Sequence, residues 1–267
     1  MESHAEYWAS RAALEWQVEM GADEAMLDAP VDRYAASADE VAPRAAAIPA
    51  PPSRPAIPEP APAIDAAAMA RAAAARAETL DDLRQVISGF ELCELKRGAK
   101  NTVFGDGNAT ARVMIVGEAP GRDEDIEGRP FVGRAGQLLD RMLEAIGLSR
   151  TSPDAQNAVY ITNVSPWRPP SNRTPDAAEI AMLLPFVQRH IELADPDVIV
   201  MVGNTPCQAL LGQTGITRLR GNWAQVLGKP ALPMFHPAYL LRNPAAKREA
   251  WADLLALKAR LKSLKKA

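Results

Sequence analysis

Short apolar runs alternate with longer helical patterns through most of the chain. Runs typical of buried strands occur at residues 112–117, 158–164, 197–203 and 231–236. Helical periodicity occurs at about residues 65–88, 134–147, 176–193, 204–212 and 244–264. This alternation predicts an α/β domain with three layers, α/β/α, in which helices cover both faces of a central, mostly parallel sheet.

The first 63 residues follow a different pattern. Residues 5–28 predict an amphipathic helix, one face of which carries, at four-residue spacing, Trp8, Ala12, Trp16 and Met20. Residues 29–63 are rich in Ala and Pro and predict an extended linker. The predicted organisation is therefore a helix within residues 1–28, a linker at 29–63 and a domain at 64–267. Two Trp on a short segment favour a tethered helix that binds a protein partner over an extension without function.

Charge is distributed unevenly between these parts. The net charge of the 267 residues is -3, and 48% of them are apolar. The first 63 residues carry 4 basic and 11 acidic side chains, whereas the remainder carries 26 basic and 22 acidic ones. The predicted domain is thus modestly positive, which is compatible with phosphate contacts. No apolar stretch approaches the ~18 residues of a membrane span, and the N-terminus lacks the pattern of a secretory signal.

Polar side chains stand where three of the predicted strands end. Glu118, Asn163 and His236 lie at or just past those ends. Ligands of a parallel sheet bind outside the carboxyl ends of its strands, so we expect these three loops to meet at one crevice. The first loop also contains Gly117 and Gly121, which let a backbone approach a ligand closely. Taken alone, that loop also fits an ordinary tight connection in an α/β domain.

Five motifs follow one another in a specific order along residues 90–262. They are Gly-Glu-Ala-Pro-Gly at 117–121, Gly-Arg-Pro-Phe-Val-Gly at 128–133, the Asn at 163, Arg-Pro-Pro-Ser-Asn-Arg at 168–173 and His-Pro-Ala-Tyr-Leu-Leu-Arg at 236–242. Together they resemble a family 4 uracil-DNA glycosylase. The resemblance implies an enzyme of base excision repair that hydrolyses the N-glycosidic bond of uracil in DNA and leaves an abasic site. It implies single- or double-stranded DNA containing uracil as the partner. The lack of a membrane-span pattern and of a secretory-signal pattern favours a cytoplasmic location, with the bacterial nucleoid, and a monomer is the default expectation.

The resemblance assigns roles to residues of these motifs. The implied catalytic residues are Glu118, Glu124, Asn172 and His236. The implied uracil-binding residues are Gly117, Ala119, Phe131, Asn163 and His236. The implied contacts to DNA are Arg168, Arg173, Arg218, Arg220, Tyr239, Leu240, Leu241 and Arg242. For each Arg the alternative is an ordinary solvated side chain, whereas the apolar residues near 240 suit a wedge that enters the minor groove.

Three of these residues would handle the flipped base. Phe131 would stack on it, and the Asn163 amide offers one donor and one acceptor to the uracil edge at O4 and N3. His236 would contact O2, where negative charge develops as the bond breaks. The alternatives are a core Phe beneath the loop, a turn Asn that satisfies backbone groups, and a structural His. His190, in the middle of a predicted helix, is interpreted as structural.

The remaining catalytic positions concern the attacking water. A carboxylate at Glu118 or Glu124 would orient the water or stabilise the cationic sugar. Asn172 would orient the water or support a group that does so. Its alternative role is to cap the helix that is predicted to start near Thr174 and Pro175.

The cysteines depart from the family pattern. Family 4 enzymes hold a four-iron four-sulfur cluster with four Cys, but this chain contains only Cys93 and Cys207. Cys93 matches one ligand position, and Cys207 matches none. The other three positions hold Phe90, Trp167 and approximately Leu183, which predicts apolar packing in place of the cluster and no bound metal.

Three other functions remain open from the sequence. The first is a glycosylase for other deaminated bases such as hypoxanthine or xanthine. The second is a protein that binds uracil-containing DNA without catalysis. The third is an unrelated hydrolase that binds phosphate at the loop of residues 117–121, although that loop lacks the Lys and Gly spacing of a P-loop.

Overall fold

A six-stranded sheet forms the centre of the chain in the computed structural model, which describes residues 4–19 and 65–264. The chain divides into two compact units, residues 1–61 and 62–267. In the first unit the described residues form helix α1, His4–Glu19. The rest of the helix predicted at 5–28 and the linker predicted at 29–63 lie outside the described residues.

The sheet belongs to the second unit and has the strand order β1-β3-β2-β4-β6-β5. Its strands are β1 (Asp106–Gly107), β2 (Val113–Gly117), β3 (Val159–Asn163), β4 (Val198–Val202), β5 (Ala224–Val226) and β6 (Lys229–Met234). The four central strands pair in parallel, whereas β1 and β5 pair antiparallel at the two edges. The mostly parallel sheet is therefore confirmed. The edge strands were not predicted because two or three residues are too few to show an alternating pattern.

Helices connect and cover these strands. In chain order they are α2 (Ala66–Ala74), α3 (Leu80–Ser88), α4 (Leu95–Gly98), α5 (Arg122–Glu127), α6 (Arg134–Glu144), α7 (Ala177–Ala194), α8 (Asn204–Leu211), α9 (Ile216–Leu219), α10 (Pro237–Arg242) and α11 (Lys247–Ser263). Short 3₁₀ turns occupy Pro170–Asn172 and Pro244–Ala246. The short helices α4, α5, α9 and α10 lie in segments for which the sequence predicted no helix.

The single helix predicted at residues 65–88 is wrong, because the structure contains two helices there. Thr79 begins the second of them: its hydroxyl accepts a hydrogen bond from the Asp82 N–H at 3.1 Å. The Asp82 carboxylate accepts one in return from the Thr79 N–H at 3.0 Å. This reciprocal capping box satisfies the first amides of α3 and ends the continuity with α2.

The two faces of the sheet bury different helices. On β2, Ile115 belongs to a core that includes Leu143 of α6 and Leu257 of α11. Its neighbours Met114 and Val116 belong to the opposite core, which contains residues of α7 and α8. Successive side chains of a strand point to opposite faces, so the continuous apolar run on β2 fits a strand that is covered on both sides.

Helices α2 and α3 extend one side of this architecture. Ala70, Ala74 and Ala77 are buried there in a third apolar core together with Leu183 and Phe186 of α7. Small side chains let α2 approach α7 closely. Residues 65–88 are therefore an integral layer of the second unit. Across residues 4–19 and 65–264, no helix combines the length and apolar character that a bilayer span requires.

Candidate functional site

A crevice of about 700 Å³ lies at the carboxyl ends of the central strands. Its walls include seven of the eight residues predicted to be catalytic or uracil-binding, namely Glu118, Ala119, Glu124, Phe131, Asn163, Asn172 and His236. The eighth, Gly117, ends β2 and pairs in register with Asn163 at the end of β3. The expectation that the strand-end residues meet at one crevice is confirmed.

Asn163 presents an unsatisfied acceptor at this crevice. Its side chain is 6% exposed, and its Oδ1 is the one buried side-chain polar atom among the described residues that lacks a hydrogen-bond partner. Burying such an atom without a partner costs about 1–3 kcal/mol. The alternative of a turn Asn that satisfies backbone groups does not explain this lone acceptor. The geometry instead fits a ligand that brings an N–H group to Oδ1.

Gly117 leaves the space in front of this acceptor open. A Cβ atom on Gly117 would lie 2.3 Å from Oδ1 of Asn163 and 2.6 Å from Cε2 and Cζ of the Phe131 ring. Both distances are too short for a contact between non-bonded atoms, so a side chain at residue 117 would displace Asn163 or Phe131. The slot between the Asn163 amide and the Phe131 ring therefore depends on glycine at residue 117.

Phe131 forms one wall of the slot. Its ring is buried and belongs to the core between the sheet and α6, yet it also lines the crevice. Its ring centroid lies 5.5 Å from that of His236. The backbone of Phe131 adopts a φ of 55°, a left-handed conformation that is rare for a bulky residue. A ring that is fixed in this way offers a rigid flat surface to a planar ligand.

His236 follows β6 and caps α10. Its Nδ1 accepts a hydrogen bond from the Ala238 N–H at 3.1 Å, which places the proton of the neutral ring on Nε2. Burial, together with the nearby Arg242 charge, lowers the pKa of His236 to about 4. The ring is therefore neutral at pH 7, and its Nε2–H can donate a hydrogen bond to a ligand.

A hydrogen bond from Thr205 holds the Glu118 carboxylate in the crevice. Its Oε2 accepts a hydrogen bond of 2.6 Å from the hydroxyl of Thr205, which is buried in the first turn of α8. Thr205 also lines the crevice, although it was not among the residues predicted for the site. Its position in the sequence could have identified it, because Thr205 closely follows β4 and so lies at the carboxyl end of a fourth parallel strand.

Glu124 bonds to the backbone of two loops. Its carboxylate accepts hydrogen bonds from the N–H groups of Gly121, Val132 and Gly133 at 3.1, 3.0 and 2.9 Å. These bonds join the loop after β2 to the loop that carries Phe131. The neighbouring Asp125 is buried and accepts backbone hydrogen bonds from residues 100 and 101, away from the crevice lining.

Asn172 lies at the rim of the crevice in a 3₁₀ turn. Its Oδ1 accepts a hydrogen bond of 2.7 Å from Nε of Arg168. Its alternative role as a helix cap is wrong, because α7 begins at Ala177 and Asp176 caps it by accepting a hydrogen bond from the Glu179 N–H. The side chain of Asn172 is thereby oriented by Arg168 at the crevice.

The residues predicted to contact DNA have different surroundings. Tyr239 and Arg242 of α10 line the crevice, and Leu241 is half-buried beside them. Leu240 is 1% exposed and packs with Leu138, so the prediction that it contacts DNA is wrong. Its side chain instead anchors α10 in an apolar core.

The arginines among them also differ. Arg173 forms two hydrogen bonds to the Glu179 carboxylate, and Arg220 pairs with the buried carboxylate of Asp253. Arg218 lies in the last turn of α9 and is exposed.

His190 is buried in α7 and bonds to the Tyr160 hydroxyl at 2.9 Å, which agrees with a structural role.

The four positions that would hold an iron-sulfur cluster lie within one apolar core. Phe90, Cys93, Trp167 and Leu183 are all buried there, and the Phe90 ring packs edge-on against Phe186 at 5.1 Å. Burial raises the pKa of the Cys93 thiol, which disfavours the thiolate that binds iron.

Cys207 lies in a different core, where burial raises its pKa to about 12. Within the described part of the chain, no group of three or more His, Cys, Asp or Glu is placed to hold a metal ion. One thiol and three side chains without sulfur do not fit a four-cysteine cluster.

Comparison with known proteins gives consistent matches. Residues 104–255 match the model of the Uracil DNA glycosylase superfamily. The chain is 42% identical over 171 residues to the type-4 uracil-DNA glycosylase of Thermotoga maritima, and the aligned part is 63% of this chain and 86% of that protein. It is 40% identical over 185 residues to the type-4 enzyme of Archaeoglobus fulgidus, with 66% of this chain and 90% of that protein aligned. It is 37% identical over 196 residues to the type-4 enzyme of Saccharolobus solfataricus, with 70% of this chain and 88% of that protein aligned.

Proposed function

Because the chain belongs to the uracil-DNA glycosylase superfamily, we propose that it hydrolyses the N-glycosidic bond of uracil in DNA and leaves an abasic site for base excision repair. One observation carries the proposal beyond the family. The buried Oδ1 of Asn163 lacks a hydrogen-bond partner, and Asn163 lines the same crevice as Phe131 and His236. A flipped uracil brings the missing N–H group at N3 and a planar ring that would lie against Phe131.

Asn163 selects uracil over cytosine through the order of its donor and acceptor. Oδ1 accepts from uracil N3–H, and the Nδ2 group donates to O4. Cytosine presents an acceptor at N3 and a donor at N4, so both pairs would be mismatched. Each buried group that is left unpaired costs about 1–3 kcal/mol, which opposes excision of the normal base.

His236 stabilises the leaving base. As the glycosidic bond breaks, negative charge develops on uracil O2, and the neutral ring donates its Nε2–H to that oxygen. The bond is strongest in the transition state, so it lowers the barrier rather than merely increasing affinity. Loss of one preorganised donor of this kind commonly costs about 10²-fold in rate.

Glu118 is the carboxylate that we assign to the attacking water and the cationic sugar. The hydrogen bond from Thr205 fixes one of its oxygens in the crevice. Asn172, oriented by Arg168, is the second group that positions the water. Glu124 acts through the loops: its carboxylate is engaged by three backbone amides that hold the Phe131 segment.

DNA is bound around the mouth of this crevice. Helix α10 presents Tyr239, Leu241 and Arg242, which fill the gap left by the flipped base. Arg168 and Arg218 contact phosphates. We propose that Arg173 and Arg220 act mainly through their partners Glu179 and Asp253, and that the protein binds DNA as a monomer.

Helix α1 serves a separate purpose in this proposal. Tyr7, Trp8 and Trp16 are each half-exposed or more on it. Large aromatic side chains in water are typical of surfaces that bind another protein. We assign α1 to the capture of a protein partner, with the catalytic unit acting on DNA independently of it.

We also propose that this chain works without an iron-sulfur cluster. The buried side chains of Phe90, Trp167 and Leu183 occupy the region in which relatives would place cluster ligands. The purified protein should be colourless, should contain no stoichiometric iron or sulfide, and should still excise uracil. Stoichiometric iron and sulfide would contradict this part of the proposal.

The activity is tested with purified protein and labelled oligonucleotides, single- and double-stranded, that contain uracil, hypoxanthine, xanthine or thymine opposite guanine. Alkali then cleaves the abasic sites. Cleavage at uracil is expected. Cleavage only at hypoxanthine or xanthine would establish the alternative base specificity, and binding of uracil-DNA without cleavage would establish a non-catalytic protein.

Two variants test the assigned roles at saturating enzyme in single turnovers. His236→Ala should lower the excision rate about 10²-fold while affinity for uracil-DNA is retained. Asn163→Asp should lose uracil excision because an ionised carboxylate has no donor for O4 and repels the developing anion. A wild-type rate in either variant would refute the role of that residue.

A further inference from the structure

Arg150 lies behind the wall of the slot that Phe131 forms. The chain reaches it just after α6, and its side chain is only 9% exposed. Nη1 donates a hydrogen bond of 2.8 Å to the carbonyl oxygen of Pro130, and Nη2 donates one of 2.9 Å to the carbonyl oxygen of Phe131. One guanidinium group therefore holds two successive carbonyls at the start of the strained segment.

Two carboxylates fix the orientation of this guanidinium. Nε donates to Asp140 of α6 at 2.8 Å, and Nη1 donates to Asp106 of β1 at 3.1 Å. Asp106 pairs with Ile161 of β3, two residues before Asn163. Arg150 thus connects the loop that carries Phe131 to the edge strand next to the strand that carries Asn163.

The backbone at Phe131 needs such support. A left-handed φ of 55° at a bulky residue is strained and persists only where the surroundings impose it. Helix α6 approaches so closely that a Cβ atom on Gly136 would lie 1.8 Å from the Phe131 carbonyl oxygen. Glu124 holds the following two amides, those of Val132 and Gly133.

We propose that Arg150 is a positioning residue for base excision, which holds the Phe131 ring against the flipped base through the Pro130 and Phe131 carbonyls. This inference rests on the proposed function. The planar fork of guanidinium donors reaches both carbonyls and both carboxylates at once, whereas the single ammonium of Lys cannot reproduce that geometry. Misplacement of a positioning surface by about 1 Å can cost about 10²-fold in rate.

A purely structural role for a buried Arg is the competing explanation, and Arg112 supplies the matched control. Arg112 is similarly buried, pairs with Asp197 at 2.5 Å and donates to the carbonyls of Leu261 and Leu264. It contacts none of the crevice residues described above. Its replacement should therefore reproduce the loss of a buried ion pair without moving Phe131.

The experiment compares Arg150→Met, Arg150→Lys and Arg112→Met in the full-length protein. Single-turnover excision of uracil is measured at saturating enzyme, well below each melting temperature. Arg150→Met should lower the rate about 10- to 100-fold and Arg150→Lys by a smaller factor, whereas Arg112→Met should stay within about twofold of wild type. Equal losses in the Arg150 and Arg112 variants, or wild-type rates in Arg150→Met and Arg150→Lys, would overturn the proposal.

A double-mutant cycle with Phe131→Ala decides whether Arg150 acts through the ring. Once the ring is absent there is nothing left to position, so Arg150→Lys and Arg150→Met should each cost less than about twofold in that background. Losses that multiply independently would overturn the proposal. If Arg150→Met does not fold, Arg150→Lys completes the cycle.

A binding measurement separates failure of this inference from failure of the proposed function. The probe is DNA that contains 2′-fluorinated deoxyuridine, which resists cleavage, compared with the same strand containing thymidine. Arg150→Lys should weaken the preference for the uracil strand, and Arg112→Met should not. Absence of uracil cleavage by the wild-type protein refutes the proposed function, whereas an unchanged preference in Arg150→Lys refutes only the role of Arg150.

Discussion

The hydroxyl of Thr205 donates a hydrogen bond of 2.6 Å to Oε2 of Glu118, and this bond joins the helix after β4 to the loop after β2. The two residues are 87 positions apart in the chain and meet only because β2 and β4 are neighbouring parallel strands. A buried hydroxyl thereby fixes the orientation of the carboxylate that we assign to the attacking water.

Thr205→Val should lower the excision rate with little change in affinity for DNA. Valine has nearly the shape of threonine but cannot donate to Glu118. A hydrogen bond to a charged group contributes about 1.5–3 kcal/mol, which corresponds to a loss of about 10- to 100-fold in rate. Thr205→Ser keeps the hydroxyl and should recover most of that loss in the same single-turnover assay. Equal rates for Thr205→Val and wild type would show that Glu118 does not need this bond.

Gly117→Ala should abolish uracil excision without unfolding the protein. The added methyl group would lie 2.3 Å from Oδ1 of Asn163 and 2.6 Å from the Phe131 ring, where we propose that the base enters. Gly98→Ala is the control, because no heavy atom lies within 4 Å of a Cβ atom there. Both variants should show cooperative urea unfolding, and only Gly117→Ala should lose activity. Wild-type excision by Gly117→Ala would place the base elsewhere.

The excision rate should not respond to ionisation of His236 near neutral pH. Burial and the Arg242 charge lower the pKa of His236 to about 4, so the ring keeps its Nδ1 as an acceptor and its Nε2–H as a donor. Single-turnover rates should show no transition at about pH 6.5, the ordinary range for His. A transition near pH 6.5 that disappears in His236→Ala would contradict a neutral donor.

His190 should make the folded state less stable in acid. Burial lowers its pKa from 6.5 to about 3, with a smaller effect from Arg84. Between pH 6.5 and 3 the unfolded chain therefore binds a proton that the folded protein does not. The free energy of unfolding consequently falls as pH falls through that window, by up to about 1.4 kcal/mol per pH unit for this proton.

The variant His190→Gln isolates this effect. It cannot take up the proton in either state, so its free energy of unfolding should depend less steeply on pH between 6.5 and 4 than that of the wild type. Urea unfolding at a series of pH values measures both slopes. Identical slopes would show that His190 is protonated in the folded protein.

A chain that begins at residue 65 should fold and excise uracil as the full-length protein does. Asp65 caps α2 by accepting a hydrogen bond from the Ala68 N–H at 2.9 Å, so the boundary keeps that helix intact. A chain that begins at residue 89 should instead lose stability, because it lacks the buried side chains Ala70 and Leu83. Circular dichroism, urea unfolding and the excision assay compare the three chains. Loss of activity in the first truncation would assign residues 1–64 a role in catalysis.

Local patterns were sufficient for the central layers of the fold and for most of the crevice lining. The runs at 112–117, 158–164 and 197–203 predicted β2, β3 and β4 to within one residue at each end, because an apolar strand is bounded by its own breakers. Glu118 directly follows β2, Asn163 ends β3, and His236 lies two residues past the end of β6. The rule that parallel strands end at one edge was therefore enough to bring them together.

The contacts that give these residues distinct roles depend on tertiary structure. Thr205 and Glu118 are joined across two strands, and Arg150 reaches the carbonyl of Phe131 only after α6 has packed on the sheet. No local pattern encodes which loop a buried carboxylate or guanidinium will meet. The left-handed backbone of Phe131 is likewise imposed by its neighbours against its own preference.

Burial of individual side chains was also decided by packing. Leu240 lies in a segment that the sequence predicted to be a DNA-contacting loop, but its side chain is buried. Arg220 forms an ion pair with Asp253 instead of extending into solvent. Phe90, Trp167 and Leu183 come from three separate segments, and only the packing of α7 against the neighbouring loops makes them one apolar core. The sequence by itself determined the four central strands, the order of the motifs and the chemistry available at the ends of those strands. The tertiary structure decided which of those groups line the crevice and which hold the others in place, because burial and hydrogen-bond pairing depend on distances between residues that are remote in the chain.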